Sequence, residues 1–461
     1  MHTASPVVPA ALRETIDWLL SVEDFGTVRS LLGTLSRFLP ESDPLACDFV
    51  ASVLLRAKCY KEAASVAERT VALLPESIEA RFNAAKCLAA SGRPDAAERL
   101  IREVIAGRPD WIEARIDLAV YVARQGRLDE AKEALEALLA IVPADDRNHD
   151  VLRFNLGWHR LRYGDFKTGM KMLGAGRRLR IWGAMAQTHP RPMLNVGTDL
   201  HAKTVLLCGE GGAGDEMINV RFAQVIAARG GRVLWQGRAG LATLFARAPG
   251  VSAVVTDAGP PACDYWAPCM DLPRLLDLDL QEVPSAAYLS PDPSLAAHWR
   301  KRLPPGRRLK VGIRWRGNHL YEQDLARAVP FSLLEELTKL RGVTVYSLQR
   351  DEGSEERPPD SRVVDLGPEL RTWEDTAAAI AQLDLVVSSC TSVPHLAAAM
   401  GKPVWLFCPI NPYYIWATPG DLSPWYPRVR LFRQTRLGDW TGPFSDLRAR
   451  LKIAVRDRDM L

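Results

Sequence analysis

Two short stretches of this chain place polar groups where a strand gives way to a helix. The first is Leu383-Asp-Leu-Val-Val-Ser-Ser-Cys-Thr-Ser-Val-Pro-His-Leu-Ala-Ala-Ala-Met-Gly-Lys-Pro-Val-Trp405. It reads as a buried strand, a polar turn, a short helix and a second strand, with Thr391, Ser392 and His395 around the turn. The first N–H groups of a helix have no intrahelical partners and lie at the positive end of its dipole. A diphosphate is a natural occupant of such a turn, and the hydroxyls of Thr391 and Ser392 add donors. His395, one turn in, could donate to a phosphate or sugar oxygen; a structural role is the usual alternative for a lone helical histidine. The second stretch is Gly209-Glu-Gly-Gly-Ala-Gly-Asp215, between the apolar run from Lys203 to Cys208 and a helical pattern. A glycine-rich βα turn serves nucleotide folds, and equally any tight turn. Asp215 falls at the helix start, where the dipole favours its charged form and leaves it a weak base. Capping that helix is its alternative use.

From Lys203 onward strands alternate with helices, the pattern of parallel, doubly wound sheets. Leu309-Lys-Val-Gly-Ile-Arg-Trp-Arg-Gly-Asn318 runs from a strand into a turn, and a second α/β half continues from there. Asn318 and Gln349 fall at strand ends and are read as contacts to phosphate and base. Trp405, Trp416 and Trp425 are candidates to wall the site, with a core role for Trp405. The reading is an α/β part split into halves at 203–300 and 301–461. Ahead of it, 183–202 reads as a Pro- and Gly-containing linker.

The glycine loop ending in Gly214-Asp215, the segments LFARAPGV and CDYWAPCMDLPRLL, the turn at Thr391-Ser392, and the tail DLSPWYPRVRLFRQ resemble bacterial glycosyltransferases of the heptosyltransferase-like family. The resemblance covers about residues 205–445. It implies a GT-B fold of two Rossmann-like halves with a nucleotide sugar in the cleft. By resemblance Asp215 is the catalytic base and His395 a second catalytic residue. Gly212, Gly214, Asn318, Arg327, Gln349, Thr391 and Ser392 form the donor-binding set, Arg327 standing where the family carries a basic phosphate contact. No D-x-D motif sits at a strand end, so no metal and no cofactor are expected. One departure stands out: relatives carry Asp before the Thr of the turn, where this chain has Cys390. A thiol lacks that charge and acceptor capacity. A different donor, weaker binding and lost turnover all remain open.

The first 182 residues read as a helical repeat. Pro75, Pro109 and Pro143 are spaced by 34, as are Ala63, Ala97 and Ala131, and Gly92 and Gly126. A 34-residue helix–turn–helix period resembles the tetratricopeptide repeat, a solenoid with a concave surface for peptides. A fourth unit from His149 shifts the Gly126 and Ala131 positions by 38, to Gly164 and Gly169. Residues 11–40 read as a degenerate cap. On these boundaries, removing residues 1–180 is expected to spare donor binding.

Composition is that of a soluble globular chain, 47 % hydrophobic and 25 % charged over 461 residues. The net charge of +4 gives no global reason to expect nucleic acid. Within 301–350, however, eleven Lys/Arg face four acids. That patch suits a small polyanion, although Lys301–Lys310 reads equally well as a solvated loop. The eight cysteines include no C-x-x-C pair, so buried, reduced thiols and a cytoplasmic location are expected. No signal peptide and no membrane span are read. A repeat array ahead of a GT-B domain resembles protein O-glycosyltransferases, including those acting on bacterial flagellins. The expected partners are therefore a nucleotide-sugar donor and a protein acceptor held by the repeat groove. A lipid-linked or surface saccharide acceptor, and a non-catalytic scaffold, are the alternatives.

Overall fold

The computed structural model describes residues 9–35, 41–179, 189–256, 259, 261–322 and 324–461. Two compact units divide the chain: Met1–Val142 with Asn318–Ala326, and Pro143–Gly317 with Arg327–Leu461. Among the described residues no helix is long and apolar enough to cross a membrane. All eight cysteines are buried and free.

The first unit is built of paired helices: Ala10–Ser21 with Phe25–Leu35, Pro44–Arg56 with Tyr60–Leu73, Ile78–Ala90 with Pro94–Gly107, and Ile112–Arg124 with Leu128–Leu139. Ala63, Ala84, Ala85, Ala97, Ala114 and Ala131 are wholly buried, so the pairs approach closely at the positions the 34-residue period marks. Each pair turns through one left-handed residue: Glu23, Lys58, Gly92 and Gly126 all have positive φ. Glycine adopts that conformation without a Cβ penalty. Residues 36–40 of the expected cap lie outside the described residues. The excursion Asn318–Ala326 packs along these turns. Tyr60 Oη donates to the Leu320 carbonyl at 3.0 Å, and Arg124 pairs with Glu322 at 2.5 Å.

The fifth helix pair, Arg147–Arg162 and Phe166–Leu173, which the sequence reads as its fourth repeat, belongs to the second unit and not to the repeats. Leu161, Phe166, Met170 and Leu173 join the α/β core beside Phe222 and Trp425. The period carries on through this pair, but its apolar face is spent on the sheets. The expected boundary at 182 therefore falls inside this unit, and the chain divides at 142. The linker region is likewise not free where it is described. Leu194 N–H donates to the Trp266 carbonyl at 2.8 Å, and Leu194 and Leu200 are buried; residues 183–188 lie outside the described residues.

The second unit holds two sheets. Strands β1 Thr204–Cys208, β2 Arg232–Gln236, β3 Val251–Val255 and β4 Tyr265–Pro268 lie in the order β3-β2-β1-β4, all parallel. The larger sheet has β5 Leu309–Arg314, β6 Val343–Ser347, β7 Val364–Asp365, β8 Leu385–Ser389, β9 Val404–Cys408, β10 Leu422–Ser423 and β11 Tyr426–Arg433. Its order is β10-β11-β9-β8-β5-β6-β7, parallel except for the β10–β11 edge. The near-continuous apolar strands, such as the fully buried β8 and β9, are what a sheet covered on both faces requires. In each sheet the strand order reverses once, between β1 and β4 and between β5 and β8. Ligands of doubly wound sheets bind outside the carboxyl ends of strands at such points.

Candidate active site

The glycine turn leaves the carboxyl end of β1, and the Cys390–Ser392 turn leaves that of β8. The helices that follow, Ala213–Asn219 and Ser392–Ala399, meet. A Cβ built on Gly214 would lie 3.1 Å from His395 Cδ2 and 3.3 Å from Ser392 Cα, so a side chain there would be tight and would push the two turns apart by a few tenths of an ångström. Gly211 has φ +68°, and a Cβ there would stand 2.5 Å from Asp215 Oδ2. The loop thus folds back on its own aspartate.

Asp215 sits in the first helical turn and accepts from the Gly212 N–H at 2.7 Å. Its other oxygen accepts from Tyr413 Oη at 2.6 Å. Desolvation raises its carboxyl above the ordinary range, opposed by the Tyr413 and Gly212 hydrogen bonds and by the charges of Arg238 and Arg327. The helix start alone suggests a weak base; burial acts in the opposite direction and strengthens it. One oxygen caps the helix and the other meets the Tyr413 hydroxyl.

Arg327 donates to the Cys390 carbonyl at 2.8 Å, which brings it to the Thr391–Ser392 turn. Thr391 caps that helix through its backbone, and its hydroxyl is buried without a partner. Cys390 is a buried thiol whose pKa desolvation raises, so it stays neutral.

His395 is 4 % exposed and stacks on Trp416, with centroids 5.1 Å apart and 9° between planes. Burial, with Arg221 and Arg327 nearby, lowers its pKa to about 3. Near pH 7 it is a neutral imidazole, which keeps one N–H able to donate to an oxygen, and its Nδ1 is buried without a partner. This has a consequence for stability. As pH falls from about 6.5 toward 3, the unfolded chain takes up a proton that folded His395 refuses. Its contribution is therefore full above pH 6.5 and is lost at about 1.4 kcal/mol per unit through that window. His395→Phe keeps the stacking and is expected to flatten this acid limb in melting curves taken at stepped pH. A slope equal to that of the parent chain refutes the assignment.

Two expected contacts lie elsewhere. Gln349 is fully buried, and its amide is consumed by the Trp315 and Arg316 N–H groups and the Arg316 and Glu352 carbonyls. It ties the loops after β5 and β6 together and has nothing left for a ligand. Asn318 opens the excursion that packs with the helical unit, and its Oδ1 accepts from the Leu320 N–H.

Other residues take their place. A pocket of about 180 Å³ is lined by Arg314, Arg350, Asp351, Trp373, Thr376 and Ser392. At ~30 Å³ per water it holds only part of a nucleotide. Arg314 ends β5, is 6 % exposed, and its Nε has no partner. Desolvation lowers its pKa, with Arg327 and Arg350 acting in the same sense. Asp351 pairs with Arg314 at 2.8 Å and offsets part of this repulsion, and the remaining excess of guanidinium suits an anion. The basic excess of 301–350 carried this signal, and the Thr372–Asp375 capping box marks the helix that presents Trp373. Trp405 is core, as read; Trp416 and Trp425 are also buried and back the site through His395 and Tyr414.

Tetratricopeptide-repeat models match residues 54–115 and 112–137, so the helical unit carries such repeats. Protein FlbA of Caulobacter vibrioides is 30% identical over 209 residues, 42% of this chain and 33% of that protein. The chain thus spans about a third of that relative's length. Among solved structures it is similar to the E. coli ADP-heptose LPS heptosyltransferase II, with TM-score 0.41 and 15% identity over 56% of this chain and 99% of that one. It is also similar to a glycosyl transferase family 9 protein of Veillonella parvula, with TM-score 0.41 and 10% identity over 57% and 91%.

Proposed function

We propose that this chain is an inverting glycosyltransferase that moves a sugar from a nucleotide-sugar donor to a protein hydroxyl. The observation that carries the reading is the meeting of Asp215, on the first half, with Arg327 and the Thr391–Ser392 turn of the second. In a single displacement the acceptor oxygen bonds to the anomeric carbon and its proton passes to the Asp215 carboxylate. The anomeric carbon–phosphate oxygen bond breaks, and the nucleoside diphosphate leaves with the electron pair. Charge grows on the departing phosphates, and Arg327, Arg314 and the helix start at Ser392 are aimed at such charge. These groups supply the positive charge that a metal would otherwise bring. The Arg350–Trp373 pocket suits the nucleoside end.

A protein acceptor follows from the repeats, whose general use is to hold peptide segments. Flagellin is the first acceptor to try, on the likeness to repeat-linked O-glycosyltransferases. Cys390 favours one other reading, a scaffold without turnover, because a buried neutral thiol brings no charge to the donor.

The test begins with melting of the full chain against UDP, GDP, ADP, CMP and their sugars, since a ligand of the native state raises the midpoint. One base is expected to stand out, and Arg327→Ala to weaken it about tenfold or more. Asp215→Asn is expected to keep nucleotide binding but slow sugar transfer by about 10²–10⁴-fold. No midpoint shift with any nucleotide, or full turnover in Asp215→Asn, overturns the reading.

A further inference from the structure

Tyr413 lies in the loop after β9, and no motif in the sequence points to it. Its hydroxyl donates to Asp215 Oδ1 at 2.6 Å, within the range of a charge-assisted O–H···O⁻ bond. The loop that carries it is held from outside the two sheets. Trp158, on the helix Arg147–Arg162, packs its ring 5.7 Å from Tyr413 and 5.9 Å from Tyr414. On the same helix, Arg162 donates to the Asn411 side chain. A neighbouring segment reaches the glycine loop, where Arg177 pairs with the buried Glu210. The fifth helix pair and the turn Gly174–Arg177 that follows it thus grip both loops that converge on Asp215.

We propose that Tyr413 is a positioning residue for the Asp215 carboxylate, and that Trp158 on the fifth helix pair sets Tyr413 in turn. The proposal rests on Asp215 being the base of the transfer. With Oδ2 tied to Gly212 and Oδ1 to Tyr413, the carboxylate is held at both ends, and each oxygen keeps one lone pair that can take the acceptor proton. The hydroxyl donates a hydrogen bond and loses no proton in the step. Charged and titratable groups around Asp215 come from every side: Arg238 after β2, Glu216 on its own helix, Arg327 and Cys390 from the second half, Cys269 after β4, and Tyr414 beside Tyr413. None of these is altered by removing one phenolic oxygen.

The experiment is the titration of Asp215 in the full chain, followed by NMR with ¹³Cγ-labelled aspartate and assigned by subtracting the Asp215→Asn spectrum. Tyr413→Phe keeps the ring against Trp158 and removes only the donor. It is expected to move the Asp215 titration upward, because the lost bond favoured the charged form. Trp158→Ala is expected to move it the same way while leaving the Tyr413 hydroxyl intact, and Trp158→Phe to restore it. In turnover, Tyr413→Phe is expected to lower kcat about tenfold at neutral pH with KM for the nucleotide sugar unchanged. An Asp215 titration unmoved by Tyr413→Phe overturns the proposal. The spectrum requires no substrate, so a failure of the glycosyltransferase reading shows separately, as an Asp215 that answers to Tyr413 in a chain that turns over no sugar nucleotide.

Discussion

A chain that begins at residue 183 is expected to be insoluble, whereas one that begins at residue 143 folds and binds nucleotide. The helix pair Arg147–Arg162 and Phe166–Leu173 completes the repeat period, yet it buries Leu161, Phe166, Met170 and Leu173 in the α/β core. Each such side chain contributes about 1.5–3 kcal/mol, so the four together contribute roughly 6–12, comparable with the whole stability of a domain at about 5–15. Removal of Arg177 also leaves Glu210 buried at 7 % exposure, without the guanidinium that pairs with it. An uncompensated buried charge costs about 3–5 kcal/mol more. Deletion of residues 1–180 is therefore expected to disturb the second unit, where the periodicity alone would suggest that it is spared. Cutting at 142 leaves the second unit whole and removes the partners of the Asn318–Ala326 excursion, Tyr60 and Arg124. The 143–461 fragment is expected to melt cooperatively and keep its nucleotide shift, to lose transfer to protein, and to be cleaved by protease within 318–326. Expression of both fragments, with circular dichroism melts and limited proteolysis, is the measurement. A cooperative melt from a 183–461 fragment contradicts the assignment of the fifth pair.

The second large effect is expected at Arg221. This side chain is 1 % exposed and lies where the two halves of the α/β unit touch. It donates to the carbonyls of Ile218, Pro284 and Trp425 and to the Tyr288 hydroxyl. The faces of Tyr288, Tyr426 and Trp425 lie 4.7, 4.3 and 5.4 Å from its central carbon. Carbonyl dipoles and ring quadrupoles thus take the part of a counter-ion. Arg221→Ala strands three carbonyls at about 1–3 kcal/mol each and opens a cavity among aromatic rings. A loss of at least about 3 kcal/mol is expected, seen as a melting midpoint lower by roughly 5–10 °C. Arg221→Lys, which keeps the charge without the fork, is expected to recover only part of it. A midpoint within 1–2 °C of the parent, on the order of 0.5 kcal/mol, refutes a bridging role.

Much of this molecule can be read from local pattern. The alanines and glycines at intervals of 34 specify helix pairs and their left-handed turns, because close approach and positive φ are demands on single residues. The apolar runs of β1, β5, β8 and β9 specify buried parallel strands for the same reason. Asp215 and the Thr391–Ser392 turn are legible because a ligand at the carboxyl end of a strand uses the residues that follow that strand directly. What a face packs against is a different kind of information. The helix from Arg147 carries the repeat's spacing, but nothing in its own residues says whether it meets another repeat or a sheet. Gln349 stands at a strand end like a ligand contact, and only the loops folded around it show its amide consumed. Arg314 and Tyr413 lie 78 and 198 residues from Ser392 and Asp215, so these groups meet only once β5, β8 and the two halves are brought together. The sequence by itself determined the repeats, the two sheets and the turns at the strand ends, since each is encoded within a few residues. The tertiary structure alone decided where the chain divides and which side chains gather at those turns, since both depend on partners distant in the chain.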